Sequence, residues 1–404
     1  MTVNAKDKAK MVVVEGSFAT AHAVKTARPQ VISAYPITPQ THIVEDLSQM
    51  IADAEIPNCE YINVEAEFSA ISALIGASAA GARTYSATTS QGLYLMHEAL
   101  FNAAGMRLPI VMTVVNRAVS APINIWNDQQ DSISQRDAGW IQIYAEDTQE
   151  AADLVLQAYK IAEDKEIMLP VMVCMDGFLL SHVYDPVVLM DQAEADRYLP
   201  PFKPENYLDP KNPKSFGTFA DPASYTEFRY DIERAMKKAL VKIEEASKEF
   251  GDITGRYHGG LVEGYCLDDA EVVIVSMGSV LGSIKEVVDE YRARGEKIGV
   301  LKVRSFRPFP GEAVAKALSG AKAVAVVDKS ISLGRYEGIL FTEIKASLYN
   351  TDVKVPITGY IVGLGGRDIR AEHIKEIIEE TKAVRDSGKI TVESRINEIR
   401  EELL

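Results

Sequence analysis

Between residues 30 and 178, short β-rich apolar runs alternate with longer helical ones, and this alternation constrains the fold more than any other feature. VISAYP leads into THIVEDLSQMIADA, YINVE into a small-residue stretch ending near Gly81, and TYSATTS into QGLYLMHEALFNAAG. LPIVMTVVN is followed by a long loop, and IQIYA by the amphipathic TQEAADLVLQAYKIAED before LPVMVCMDG. Strands separated by helices join in parallel through crossovers, which predicts an α/β fold built on a doubly wound parallel sheet. Ligands of such sheets bind beyond the carboxyl ends of the strands. Four segments that follow strands are unusual: 36–41, 65–67, 88–92 and 116–137.

The remaining sequence divides by composition. Residues 1–190 form the first unit in this reading. Residues 191–256 open with Pro200, Pro201, Pro204, Pro210, Pro213 and Pro222, too many locked φ angles for an inner strand or packed helix, so an extended arm is expected. The charged helix that follows, about 225–249, reads as solvated or partner-facing. Residues 257–366 repeat the strand and helix alternation as a smaller open sheet, and 367–404 read as a tail of two helical segments.

With 58 acidic against 43 basic residues the net charge is −15, which argues against nucleic acid or an anionic membrane as partner. No apolar run reaches the roughly 18–20 residues that cross a bilayer. The amino terminus has no leader pattern, so a cytoplasmic location with reduced thiols is expected. Cys59, Cys174 and Cys266 are too scattered to ligate a cluster within this chain, and the six histidines form no HxH or HxxxH pattern, so no metal ligand is assigned.

Each unusual segment has a chemical and a plain reading. In Tyr35-Pro36-Ile37-Thr38-Pro39-Gln40-Thr41 the prolines would hold the Thr38 hydroxyl still over the sheet edge, or the segment is only a turn into a helix. Glu67 opens a helix made mostly of Ala, Ser, Gly, Leu and Ile that should pack closely on all sides. Its carboxylate either shares a proton with a ligand nitrogen or merely complements the helix dipole, and Glu65 competes for the role. The hydroxyls of 86–92 suit a ring edge or anion, or an ordinary helix start. Arg117 at a strand end suits a carboxylate, or a structural ion pair. The long loop after it is itself a sign of function. Met277-Gly278-Ser279 lacks a complete phosphate pattern, and Gly363-Leu364-Gly365-Gly366 reads as a turn.

Taken in order, YPITPQT, VEAEFSAISALIGASAAGAR, SATTSQGLYLM, VNRAVSAPINIWNDQQDSISQRDAGW and PVMVCMDGFLLSH resemble the alpha subunit of the 2-oxoacid:ferredoxin oxidoreductases, most closely the pyruvate:ferredoxin oxidoreductase (pyruvate synthase) type. SMGSVLGSIKEVVDEYRARG, VRSFRPFP and DKSISLGRYEGIL extend the resemblance over essentially the whole chain. It implies a thiamine diphosphate pyrimidine-binding fold followed by a transketolase carboxyl-terminal-like domain. It further implies pyruvate, coenzyme A and ferredoxin as reaction partners. The diphosphate and Mg2+ would lie in a beta subunit, because the GDG motif that holds them is absent here, and the scattered cysteines leave the [4Fe-4S] clusters to the partner beta, gamma and delta subunits.

By the resemblance, Glu67 matches the glutamate bonded to the aminopyrimidine ring, where a shared proton promotes the imino tautomer that takes the thiazolium proton. Thr38 matches the hydroxyl on the substrate, Arg117 the guanidinium on its carboxylate, and Pro36 part of the cofactor wall. With no Lys or Arg in 35–41, a second substrate carboxylate is disfavoured. A branched acid such as 2-oxoisovalerate is the runner-up substrate. A transketolase-like subunit without clusters and a non-catalytic scaffold are the alternatives of other classes.

Overall fold

The computed structural model describes residues 11–404. The first unit runs β1 (Met11–Glu15), α1 (Gly16–Ala27), β2 (Val31–Ala34), α2 (Thr41–Ala52), β3 (Glu60–Asn63), α3 (Glu67–Ala79), β4 (Thr84–Thr88), α4 (Ser90–Leu95) and α5 (His97–Gly105). It continues with β5 (Val111–Asn116), α6 (Gln130–Ile133), β6 (Ile141–Tyr144), α7 (Thr148–Ala162), β7 (Val171–Asp176) and β8 (Tyr184–Val188). The expected parallel sheet is present. Strands β6, β7, β5, β4, β2 and β3 lie side by side in that order, each parallel to its neighbour. VMTVVN and VMVCMD are apolar almost without break because β5 and β7 are central and buried on both faces. The rim strand β3 is mostly exposed.

Helices α1 and α7 meet through small residues, Ala19, Ala23 and Ala27 against an alanine-rich face of α7, which permits close approach. Asp147 sets the start of α7 by accepting from the Glu150 N–H at 2.7 Å. Helix α3 departs from expectation. Phe68, Ser72 and Gly76 stay exposed, so the small-residue helix is uncovered on one face within this chain. Close packing on all sides would need a surface the chain does not supply.

After α8 (Gln192–Tyr198), the proline-rich arm crosses the end of α3: the Leu208 N–H donates to the Ala79 carbonyl, and Arg83 donates to the Pro200 carbonyl. The charged helix α9 (Tyr225–Thr254) is not a purely solvated element. Ile232, Ala235, Ala239, Ile243, Ala246 and Phe250 recur at helical spacing and are buried against the first unit. That stripe lies under the mixed charges, which masked it.

The second unit comprises β9 (Val262–Tyr265), β10 (Val272–Ser276), α10 (Val280–Arg292), β11 (Ile298–Val303), β12 (Ser305–Arg307), α11 (Gly311–Leu318), β13 (Ala323–Asp328), α12 (Ile339–Tyr349), β14 (Ile357–Ile361), α13 (Ala371–Ser387) and β15 (Ser394–Ile396). Its sheet order is β15-β14-β13-β10-β11-β9, antiparallel only at β9. The tail is therefore not two appended helical segments. Ile374, Ile377 and Ile378 of α13 enter the core beneath this sheet, and β15 extends the sheet. Strand β12 leaves the unit altogether and pairs antiparallel with β6, as the seventh strand of the first sheet.

Buried charges reinforce the junction. Glu150 of α7, wholly buried, takes Arg304 at 2.7 Å and Lys302 at 2.8 Å. Burial opposes its ionisation, but Lys302, Arg304 and His258 prevail and bring its carboxyl down to about 2. Arg304 also donates to Gln157 at 2.7 Å and Ser247 at 2.8 Å. Asp153 holds both Arg256 and His258 at 2.8 Å.

Candidate functional site

The segments carrying Glu67, Thr38, Ser90 and Arg117 follow β3, β2, β4 and β5, which are consecutive neighbours in the first sheet. The winding reverses between β2 and β4: the chain passes from β2 to β3 on one side, then returns to β4 on the other. In sheets of this kind a crevice forms where the winding reverses, and the segments that carry the expected site residues flank that point.

Glu67 stands at the first position of α3 and is buried, with 7% of its surface exposed. Glu65 points outward and accepts from Ser69 Oγ at 2.6 Å. Of the two competing carboxylates, only Glu67 is buried. Among the described residues no side chain or backbone group hydrogen-bonds to the Glu67 carboxylate, although the neighbouring Thr88 hydroxyl is buried and also unbonded. Two adjacent polar groups left without partners fit a ring nitrogen and its amino group. Gly92 makes the room: a Cβ there would sit 2.6 Å from Glu67 Oε1 and 2.7 Å from Thr88 Oγ1. Gly92→Ala is therefore expected to displace the Glu67 carboxylate, with some loss of thermal stability because the buried Thr88 hydroxyl is crowded as well. Misplacement on this scale costs about 100-fold in turnover, read by steady-state assay beside a melting curve.

Thr38 lies in the exposed part of the loop after β2. Gln40 fixes that loop, its side chain accepting from the Ile37 N–H at 3.1 Å and donating to the Ala87 carbonyl at 2.6 Å. Arg117 Nη1 donates to the Thr38 carbonyl at 2.8 Å and Nε to the Asn124 carbonyl at 3.0 Å, so the structure brings Thr38 and Arg117 together. The guanidinium makes no ion pair among the described residues. Burial lowers its pKa, opposed by the charge of Asp131. Pro36 is exposed on the same loop.

Sequence reasoning missed the group that organises these loops. Asp131, fully buried in α6, accepts from the Ser90 N–H (2.9 Å), the Arg117 N–H (3.0 Å), Asn116 Nδ2 (2.8 Å) and the Ser132 N–H (2.8 Å). It ties the turn after β4 to the end of β5. Burial pushes its carboxyl up to about 7 even against these bonds. No local pattern marks such a residue, because three of its four partners lie 14 to 41 positions away in sequence.

The two glycine motifs set aside above also have a place here. Gly278, at φ +79°, leaves space where Gln129 Nε2 would otherwise meet a Cβ at 2.3 Å. The Gly365 N–H donates to Asp128 at 3.0 Å, and Asn124 donates to the Gly365 carbonyl at 3.0 Å. Lys329 reaches Asp176 at 3.0 Å and also bonds Asn127. The second unit thus grips the loop that follows Arg117. Next to this grip a cavity of about 500 Å³ opens between the units, lined by Trp126, Phe178, Lys329 and Arg367 among others.

Comparison with known proteins settles the family. Residues 22–248 match the model of the pyruvate flavodoxin/ferredoxin oxidoreductase thiamine diphosphate-binding domain, and residues 270–374 match the pyruvate:ferredoxin oxidoreductase core domain II. The chain belongs to this oxidoreductase family. It is 69% identical to pyruvate synthase subunit PorA of Methanosarcina barkeri, over 98% of each chain. It is 49% identical to ketoisovalerate oxidoreductase subunit VorA of Pyrococcus horikoshii, over 94% of this chain and 96% of that one. A solved 2-oxoglutarate:ferredoxin oxidoreductase from Magnetococcus marinus, with 2-oxoglutarate, coenzyme A and succinyl-CoA bound, has TM-score 0.72 at 19% identity. That match covers 92% of this chain and 65% of the other, and is a likeness of fold. The match to the thiamine diphosphate-binding domain spans Glu67, Thr88 and Arg117.

Proposed function

We infer that the chain is the alpha subunit of a pyruvate:ferredoxin oxidoreductase, interconverting pyruvate, coenzyme A and oxidised ferredoxin with acetyl-CoA, carbon dioxide and reduced ferredoxin. The observation that carries this reading is the buried, unbonded Glu67 carboxylate facing Gly92 in a thiamine diphosphate-binding domain. When bound, thiamine diphosphate supplies the carbon nucleophile and electron sink that decarboxylation of a 2-oxoacid requires. Glu67 holds a proton at the pyrimidine ring nitrogen, with the Thr88 hydroxyl beside it. Arg117, already oriented through Nε and Nη1, offers its remaining edge to the substrate carboxylate. Thr38 contributes its hydroxyl at the substrate, and Pro36 stands at the rim.

Exposed apolar side chains, Ile62, Phe68, Leu95, Ile123 and Trp126, lie near the end of β3, on α3, at the end of α4 and in the segment that follows β5. They support a partner subunit seated over the site, carrying the diphosphate and Mg2+. The three cysteines are free thiols at separate places, which supports assigning the [4Fe-4S] clusters to the beta, gamma and delta subunits. No helix among the described residues is long and apolar enough to cross a membrane.

One guanidinium without a second cation in 35–41 favours a monocarboxylate. The nearness of the VorA relative keeps 2-oxoisovalerate as the second reading. A panel of pyruvate, 2-oxobutyrate, 2-oxoisovalerate and 2-oxoglutarate on the assembled complex separates them, with pyruvate expected to give the highest kcat/KM. In the same assay Arg117→Ala raises the pyruvate KM and lowers kcat, a combined loss in kcat/KM of about 100-fold or more for one charge-assisted contact pair. Unchanged kinetics would remove Arg117 from the site.

A further inference from the structure

The sequence shows no paired histidines, yet folding gathers two of them beside a carboxylate on the outer side of the Thr38 loop. Glu15 ends β1, His42 lies in the first turn of α2, and His182 follows β7. One potential ligand atom from each lies within 4.8 Å of the other two. Glu15 Oε1 is 2.6 Å from His42 Nδ1, and the two imidazole rings stand 4.5 Å apart between centroids. His182 Nδ1 meets Ser181 Oγ at 2.7 Å, the kind of outer bond that orients a ligating imidazole. Its Nε2 has no bond among the described residues. Asp46, one turn beyond His42, lies within electrostatic reach of Glu15 and His42 and adds negative field to the cluster.

We propose that Glu15, His42 and His182 form a site for a divalent transition ion of the zinc type, distinct from the crevice that holds Glu67. Two imidazoles and a carboxylate suit such an ion, and donors around a shared ion at about 2.1 Å stand roughly 3.4 Å apart in tetrahedral geometry. Small side-chain movements bring the three donors to that spacing. His42 is 44% exposed at its side chain, so water can take the fourth position. The ion would join β1, the start of α2 and the turn after β7. Phe178 of that turn touches both His182 and Trp126, at 4.8 Å and 4.7 Å between ring centroids. The site is thus a clamp behind the Thr38 loop and the loop after Arg117, rather than a reaction centre.

The test is a Co2+ titration of the full-length chain after chelator treatment, followed by Zn2+ competition. Expected is saturation at one ion per chain with visible d–d absorption, displaced by Zn2+, and a rise in melting temperature with either ion. His182→Ala and Glu15→Gln each weaken binding by about 100-fold or more and abolish that rise, whereas His97→Gln binds as wild type. Absence of a saturable band in the wild-type chain overturns the proposal. So does undiminished binding in His182→Ala or Glu15→Gln. If a variant fails to fold by circular dichroism, the decision rests on the wild-type stoichiometry and the other variant.

Discussion

Glu67→Gln is expected to lower pyruvate-dependent reduction of a low-potential acceptor by about 1,000-fold or more in the assembled complex, since a positioned proton-transfer group contributes about 100- to 10,000-fold. Fold and thermal midpoint should stay near wild type, because glutamine matches glutamate in shape and the chain makes no hydrogen bond to this carboxylate that would be lost. The amide cannot hold a proton at the ring nitrogen with the free energy of a carboxylic acid. Cofactor affinity should fall much less than turnover, since burial of the ring and capture of the diphosphate by a partner do not depend on this proton. Turnover close to wild type would reduce Glu67 to a helix-dipole partner worth under about 1 kcal/mol. Gly92→Ala is the companion test: it perturbs the same carboxylate by position rather than by chemistry.

The largest effect on stability should come from Glu150→Ala. It strands Arg304 as a buried cation, while Lys302 keeps Glu146 at 3.1 Å and Glu263 at 3.3 Å, and breaking a buried pair from one side costs about 3–5 kcal/mol. The urea midpoint should fall accordingly, with β12 among the first elements exposed to hydrogen exchange. The same group gives an acid signature. Its folded pKa, about 2, lies below the ordinary carboxylate value, so its contribution is complete above that ordinary value and is lost as pH falls through about 2. Glu150→Gln should flatten the wild-type decline across this acidic window. A midpoint indistinguishable from wild type would mean that Asp153, Gln157 and Ser247 hold the junction without Glu150.

The first sheet was legible because its signal is local: β5 and β7 are nearly continuous apolar runs, and each crossover helix carries its own period. The candidate site was legible to the extent that the proposed residues lie in segments that follow strands, as Thr38, Glu67 and Arg117 do. Glu65 and Glu67 could not be told apart by pattern, since burial depends on how α3 meets Gly92. Asp131 was hidden for a related reason, because its meaning lies in a bond to Ser90 across 41 positions. The charge of α9 concealed an apolar stripe, and the charge of the tail concealed β15, whose pairing with β14 is a tertiary decision.

Strand β12 sets a limit on how this polypeptide can be divided. Residues 305–307 complete the edge of a sheet begun before residue 35, so a cut between the two units would bare the β6 edge and take Arg304 away from Glu150. An exposed edge with stranded buried charge is a template for aggregation rather than a free-standing fragment. Any fusion, permutation or subunit exchange that reuses this architecture must therefore carry both halves as one inheritance unit.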